Sequence, residues 1–415
     1  MFGFLKASTP IARTFMLVPR TCGRLCGIWP DPDYTWRNTL FVIFSTFVMA
    51  YGGFGEFGYG LTHLSDLVDA LDAFCPSVTK IISFFKASIL FVNRRRFNDI
   101  TERLRTLIMR EQHDANKIKL VQRFSSFGNI CAFIIIAGGA SANMFYNLRA
   151  IVTNLIYHFQ EEQKQFEFPF KSIVPEFTKT FPYFPFMFLI LSASGTMTVL
   201  SFSIVDGYFV CTTVLICSIF KCIQNDIRSA FEKLKNSEHA TEEQNHRIRQ
   251  KLYAIVKRHN TIIDLCADFT RTFTVIILLH FMSAAVVVCS SLLDLMLNSK
   301  SLGLFIYIFY NIAALAQLVV YCIGGTYVTE SSAAVADALY NVEWYKCDVK
   351  TRKIILMILH RSQKAITISV PFFTPSLPAF SSLRFMFVGM SIDTWNIFTQ
   401  VAYEDNDKGV WPITQ

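Results

Sequence analysis

The sequence predicts an all-α integral membrane protein with seven transmembrane helices and a cytoplasmic N-terminus. The helices continue on the cytoplasmic side into an anchor bundle. Three observations predict this. Hydrophobic residues make up 52% of the chain and charged residues only 17%, against about a quarter in soluble domains. Seven apolar runs have the ~20-residue scale of a membrane-spanning helix. The basic residues gather in alternate connecting segments, as the positive-inside bias requires. A large soluble all-α protein is the competing class, and the run lengths speak against it.

Taken in order, the spans read as Thr39–Leu61, Cys75–Val92, Phe127–Val152, Phe181–Val205, Phe273–Leu297, Leu302–Ile323 and Ile366–Ile392. The second contains Lys80 and Lys86. The seventh is interrupted by Pro371, Pro375 and Pro378, each of which removes a backbone donor. The segment before span one and those after spans two, four and six carry five, nine, ten and six Lys and Arg. The alternate segments carry none, three, one and one. That asymmetry puts the N-terminus in the cytoplasm and the C-terminus outside. It also makes the net charge of +8 a topology signal rather than a nucleic-acid surface. The eleven cysteines include no CxxC pair and read as small buried residues.

Several runs are longer than a membrane needs. As one helix, Phe181 to Ile223 is roughly 65 Å long, about twice the ~30 Å hydrocarbon core. A break at Asp206-Gly207 would make an eighth span and put the ten-charge segment outside. The better reading is one span that continues into the cytoplasm, with Tyr208, Cys211, Leu215, Ile219, Cys222 and Ile223 on its buried side. Similar stripes precede span five (Leu252, Ile255, Val256, Ile262, Ile263, Leu265, Phe269) and follow span six (Val328, Ala333, Val335, Leu339, Val342). Another lies before span seven (Val349, Ile354, Ile355, Met357, Ile358, Leu359). Stripes in water bury against each other, giving a bundle built from the ends of spans four to seven. Lying flat on the inner leaflet is the alternative.

The chemistry of catalysis is missing. There is no paired-carboxylate cleft, HExxH, GxSxG, Walker or GxGxxG motif, and the eight His are dispersed. No enzyme, cofactor or metal is expected.

The second half resembles the insect odorant receptor family. The resemblance rests on ordered local patterns: "VDGYFVCTTVLICSIFKCIQNDI" (205–227), "VKRHNTIIDLCADFTRTFTVIILLHFMSAAVVVCSSLL" (256–293), "YIFYNIAALAQLVVYCIGGTYVTESSAAVADALYNVEWY" (307–345) and "DVKTRKIILMILHRSQKAITISVPFFTPSLPAFSSL" (348–383). The first half agrees in layout only. After "PAFSSL" the sequence departs from the family, with Arg384 and Asp393 near the last span and a longer tail. G-protein-coupled receptors are disfavoured: the charge bias is inverted, and Asp/Glu-Arg-Tyr and Asn-Pro-x-x-Tyr are absent. The Thr-Tyr…Gln-Phe pattern of gustatory receptors is absent as well.

The resemblance implies an odorant-binding subunit of a heteromeric ligand-gated cation channel in the plasma membrane, expected in the dendrite of an olfactory sensory neuron. Its partners would be the shared co-receptor subunit, a small volatile organic ligand and the lipid bilayer. The short segment between spans four and five marks a ligand-tuning subunit. The implied organisation is a cytoplasmic segment 1–38, spans and pocket in 39–323, and anchor helices in 324–366 with parts of 206–272. A pore-lining last span at 367–392 and an atypical extracellular tail at 393–415 complete it. Anchor contacts would come from Tyr340, Trp344, Ile355 and Leu359, and the pore constriction from Val388, Met390, Ser391 and Ile392.

A volatile ligand needs a mostly apolar pocket with a few orienting hydroxyls. Family pockets lie in the outer halves of spans two, three, four and six. The candidates are Lys80 and Phe84 on span two, Ser141, Phe145 and Leu148 on span three, Phe188, Ser192 and Thr198 on span four, and Tyr307 and Tyr310 on span six. An interfacial tyrosine belt and small-residue helix packing are the alternatives for the last two groups. Lys80 and Lys86 are costly in hydrocarbon and are expected to face a cavity or snorkel. Arg149 and Glu56 are placed near the outer boundary.

Overall fold

The computed structural model describes residues 10–29, 35–111, 114–159, 166–234, 238–297, 303–371 and 373–382. Ten α-helices follow in order: α1 (Ile11–Thr14), α2 (Leu17–Leu25), α3 (Trp36–Thr62), α4 (Leu67–Val92) and α5 (Arg94–Arg110). After them come α6 (Ala115–Phe159), α7 (Phe184–Phe231), α8 (Glu242–Leu297), α9 (Gly303–Tyr340) and α10 (Val349–Gln363). Among the described residues six helices, α3, α4 and α6 to α9, are long and apolar enough to cross a membrane. They match the first six predicted spans. Their outer faces carry Phe41, Phe44, Phe47, Ile134, Leu148, Phe186, Leu189 and Met282 exposed, as lipid contact requires. The protein is a multi-pass membrane protein.

α7 is the axis of the molecule. Its 48 residues form one unbroken helix of about 72 Å. Every residue from Ser201 to Phe220 is buried, so the helix is apolar all round because it has neighbours all round. Asp206-Gly207 makes no break. A Cβ on Gly207 would sit 3.2 Å from the Ala132 Cβ, so a small residue lets α6 approach here.

The basic ends of the helices pack into the predicted bundle. Tyr208, Cys211, Leu215, Ile219, Cys222 and Ile223 are all buried, as are Leu252, Ile255, Ile262, Leu265, Phe269, Val328, Val335 and Leu339. Two elements join that the sequence reading left out. α5 inserts Phe97, Ile100, Leu104, Leu107 and Ile108. The N-terminal segment docks Ile11, Phe15, Met16, Cys22 and Trp29 instead of trailing in solvent. The backbone N–H of Val18 donates to Asn129 Oδ1 at 3.0 Å, and Asn129 Nδ2 donates to the Thr14 carbonyl at 2.7 Å. Rings of Phe97, Tyr208, Phe209, Phe269, Phe273 and Tyr321 form a continuous aromatic core, with Phe209 on Tyr321 at 4.4 Å.

Charges at this end are paired. Arg258 reaches buried Glu111 at 2.8 Å, Arg103 reaches Asp268 at 2.6 Å, and Arg249 reaches Asp348 at 2.8 Å. Asp348 also caps α10 through the Thr351 N–H at 3.0 Å. His259 is buried near Phe220, and burial with the nearby Arg361 charge pushes its pKa down to about 4.

The seventh span differs from its sequence reading. Residues 365–371 and 373–376 are not helical, and Val370 and Phe373 form an isolated antiparallel bridge. The helix starts only at Leu377. Pro371 and Pro375 explain this, since each lacks an N–H and disfavours helix in the residue before it. The non-helical segment straps onto α9: Ile366 N–H donates to Ser332 Oγ at 2.9 Å and Leu377 N–H to Thr326 Oγ1 at 3.0 Å. Gly325 is required where the strap passes, because a Cβ there would lie 2.2 Å from the Pro375 carbonyl oxygen.

Candidate functional site: a cavity between two buried ion pairs

At the end of the helices away from the bundle, packing opens. A cavity of about 110 Å³ lies among α4, α6, α7, α8 and α9. α4 contributes Pro76, Thr79, Lys80, Ile82, Ser83 and Lys86, and α6 contributes Gly139, Ala142, Asn143 and Tyr146. Gly195, Thr198, Val199 and Phe202 come from α7, and His280, Ser283, Ala284 and Val287 from α8. α9 adds Tyr310, Ala313, Ala314 and Gln317, and the segment after α6 adds Phe170. The wall is mainly aliphatic and aromatic, with a few fixed polar groups, the composition of a small-molecule site.

Two lysines one and a half helical turns apart on α4 mark two ends of it. Lys80 pairs with Glu56 of α3, and both are buried. Its ammonium also lies 3.4 Å from the centre of the Phe170 ring, a cation–π contact that closes this end. Tyr146 packs on the other side of Phe170 with ring centres 5.0 Å apart. Nearby, Arg149 pairs with Asp72 at 3.3 Å and Lys171 with Asp69 at 2.6 Å. At the other end Lys86 pairs with Asp206 of α7 at 2.8 Å. Tyr321 Oη donates to the same Asp206 oxygen at 2.5 Å, and Lys86 Nζ lies 3.0 Å from His280 Nδ1. Four helices therefore meet in one buried polar network. A lone charge would be expelled from such a place; a paired one is tolerated because its partner and hydrogen bonds offset desolvation.

Tyr310 spans the wall between these ends. Its hydroxyl donates to the Cys75 carbonyl at 3.2 Å and forms a short hydrogen bond with Thr79 Oγ1. The Thr198 hydroxyl donates to the Ser194 carbonyl at 2.8 Å, which leaves its methyl and its oxygen lone pair for the cavity.

A family model described as "7tm Odorant receptor" matches residues 66–387. The chain belongs to the insect odorant receptor family. It is 44% identical over 380 residues to Odorant receptor 22c of Drosophila melanogaster, covering 90% of this chain and 94% of that one. Odorant receptor 10a of the same species is 29% identical over 391 residues, 92% of this chain and 95% of the relative. The Aedes aegypti odorant receptor coreceptor is 30% identical over 149 residues only, 34% of this chain and 30% of that one, so a tuning receptor fits better than a coreceptor. The fold is that of the insect olfactory receptor OR5 from Machilis hrabei, solved in complex with eugenol. That match has a TM-score of 0.73 at 17% identity and covers 94% of this chain and 98% of that structure. Homologues of this receptor are sensory receptors, not enzymes.

Of the predicted ligand residues, the receptor brings Lys80, Thr198 and Tyr310 to the cavity. Phe84, Phe145, Phe188 and Ser192 are half-buried but do not line it, and Ser141 and Leu148 point outward. On α6 the cavity is lined by Gly139, Ala142, Asn143 and Tyr146, while Ser141, Met144 and Leu148 lie on the exposed face. The Ser141 hydroxyl is satisfied by the Ala137 carbonyl at 2.8 Å and needs no pocket. Tyr307 lies in α9, but its side chain is outside the described residues, as are Val388, Met390, Ser391 and Ile392 entirely. At the anchor, Tyr340 is exposed, Trp344 and Leu359 are half-buried, and Ile355 faces its own chain's core. Ile355 is thus unavailable to a neighbour, whereas Leu356 and Met357 beside it are exposed. Glu56, six residues before the end of α3, is the buried partner of Lys80.

Sequence reasoning missed Asp206, His280, Tyr321 and Phe170. The available signal was the isolated polar residue inside an apolar run, which Asp206 and His280 each are. Nothing in spacing alone pairs residues 86, 206, 280 and 321.

Proposed function

We propose that this receptor is the odorant-binding subunit of a heteromeric, ligand-gated, non-selective cation channel, assembled with a coreceptor subunit in the plasma membrane of an olfactory sensory neuron. A small volatile ligand enters the cavity among α4 and α6–α9 and shifts a pre-existing closed–open equilibrium by binding the open arrangement better. The basic bundle lies in the cytoplasm and presents Tyr340, Leu356 and Met357 to neighbouring subunits. The last span lines the pore. The observation that carries this reading is the mainly apolar cavity among five helices with its few oriented polar groups, found in a chain of this family.

A second reading makes the chain a binding subunit whose own last span does not conduct. It is favoured by Arg384 and Asp393, two charged residues in or near the last span. The test is whole-cell recording in cells lacking G-protein signalling, with a coreceptor, with a coreceptor and Tyr310→Ala, and with the chain alone. Odorant current within milliseconds that depends on the coreceptor, with dose–response shifted by Tyr310→Ala, supports the proposal. No odorant current in these cells, with current appearing only when G-protein components are supplied, points instead to metabotropic signalling and would falsify it.

A further inference from the structure

His280 carries a hydrogen-bond donor with no partner among the described residues. The residue is 5% exposed and lines the cavity. Its Nδ1 lies 3.0 Å from Lys86 Nζ, and that ammonium is held by Asp206 at 2.8 Å. An ammonium has donors only, so Nδ1 is the acceptor and the ring proton sits on Nε2. The ring cannot easily turn away, because it packs on Tyr321 at 4.7 Å and edge-on to Phe281 at 6.3 Å. Nε2 has no hydrogen-bond partner among the described residues. Buried donors are nearly always paired, and leaving one unmade is costly. The neighbouring ammonium polarises the ring and makes the Nε2–H a better donor.

We propose that His280 Nε2–H is the polar anchor for the ligand, and that the preferred ligands are single-ring molecules carrying one acceptor oxygen, such as a ketone, aldehyde or ester. The size follows from the cavity of about 110 Å³, on the scale of the ~150 Å³ cavities that admit benzene. The ring lies against Val199, Phe202, Ala284 and Val287, and the oxygen meets His280. An acceptor oxygen replaces any water held there and keeps its hydrogen bond, whereas a hydrocarbon of the same shape cannot. The inference rests on the cavity being the odorant site.

The test is equilibrium binding of cyclohexanone and methylenecyclohexane to the purified full chain, followed by saturation-transfer NMR. The pair differs only by C=O against C=CH2. Cyclohexanone is expected to bind about tenfold tighter. His280→Phe should bring the two compounds level, and His280→Gln, which keeps an N–H near the Nε2 position, should keep most of the preference. Equal affinity in the wild-type chain, or failure to bind cyclohexanone, overturns the proposal without any variant. A preference that survives His280→Phe and disappears in Gln317→Leu gives the donor role to Gln317 and overturns it too. Ala284→Phe, which fills the cavity, separates the two levels of the argument. If it leaves cyclohexanone binding unchanged, the cavity is not the site at all; if it abolishes binding while the two compounds bind the wild type equally, the site stands and the His280 anchor falls.

Discussion

The two halves of α7 are built from the same residue types and behave as opposites. From Tyr208 to Phe231 the helix packs into the aromatic core, and its Asp226 joins Glu111, Arg258 and Lys117 in ion pairs. From Ser194 to Asp206 it passes a cavity, and the Ser194, Ser201 and Ser203 hydroxyls, one Asp206 oxygen and His280 Nε2 lack partners among the described residues. In the bundle half one α7 side-chain atom, Thr212 Oγ1, lacks a partner among the described residues, and beside the cavity four do. Close packing transmits strain and resists change, while unfilled space lined by a few polar groups is what an incoming ligand can occupy. The contrast teaches that a single continuous helix can join a responsive region to a rigid one, with the Lys86–Asp206–Tyr321 network at the junction.

The strongest break in this comparison is at the junction. Asp206→Ala leaves Lys86 buried without its carboxylate and should cost about 3–5 kcal/mol, seen as lost surface expression and a collapsed thermal midpoint. A Lys86→Met, Asp206→Leu double variant should recover expression, because removing both charges removes the penalty. Next, Leu215→Ala in the buried core should cost about 2–5 kcal/mol, whereas Leu148→Ala on the outward face should change stability by less than about 0.5 kcal/mol. Equal effects at the two sites, measured by thermal unfolding in matched detergent, would erase the distinction between core and lipid face. Gly325→Ala should cost about 1–3 kcal/mol, because the strap must shift to clear the new Cβ; protease nicking near Pro375 reports it.

The smallest effect concerns pH. His259 has its pKa pushed down from an ordinary 6.5 to about 4. Below pH 6.5 the unfolded chain therefore binds a proton that the folded chain refuses. Stability from this residue is fully present above 6.5 and is lost as pH falls toward 4. His259→Phe should flatten the pH dependence of the thermal midpoint over that window; an unchanged slope would show that His259 is not the group responsible.

Much of the fold was readable from the chain because membrane and bundle both impose simple patterns. The six described spans, the unbroken α7 and the buried stripe from Tyr208 to Ile223 follow from run length, charge alternation and helical spacing. α5 was legible in principle, since Phe97, Ile100, Leu104 and Leu107 repeat at helical spacing, but its many arginines hide the stripe. The start of the last span was misread because hydrophobicity continues through residues 366–376 while the prolines forbid the helix. The cavity was read only in part. Aromatic and small residues are equally at home against lipid, a neighbouring helix or a ligand, so Ser141 and Leu148 looked as suitable as Ala142 and Tyr146. Which face turns inward is set by neighbours distant in sequence, above all the partners of Lys80 and Lys86.

The central claim is that ligand binds inside the helices, in the cavity bounded by α4 and α6–α9. A density map of this receptor assembled with a coreceptor and an activating odorant tests it most directly. The account predicts ligand density in contact with Thr198, His280 and Tyr310, with its oxygen toward His280. Density at any other place, with this cavity empty, would contradict it.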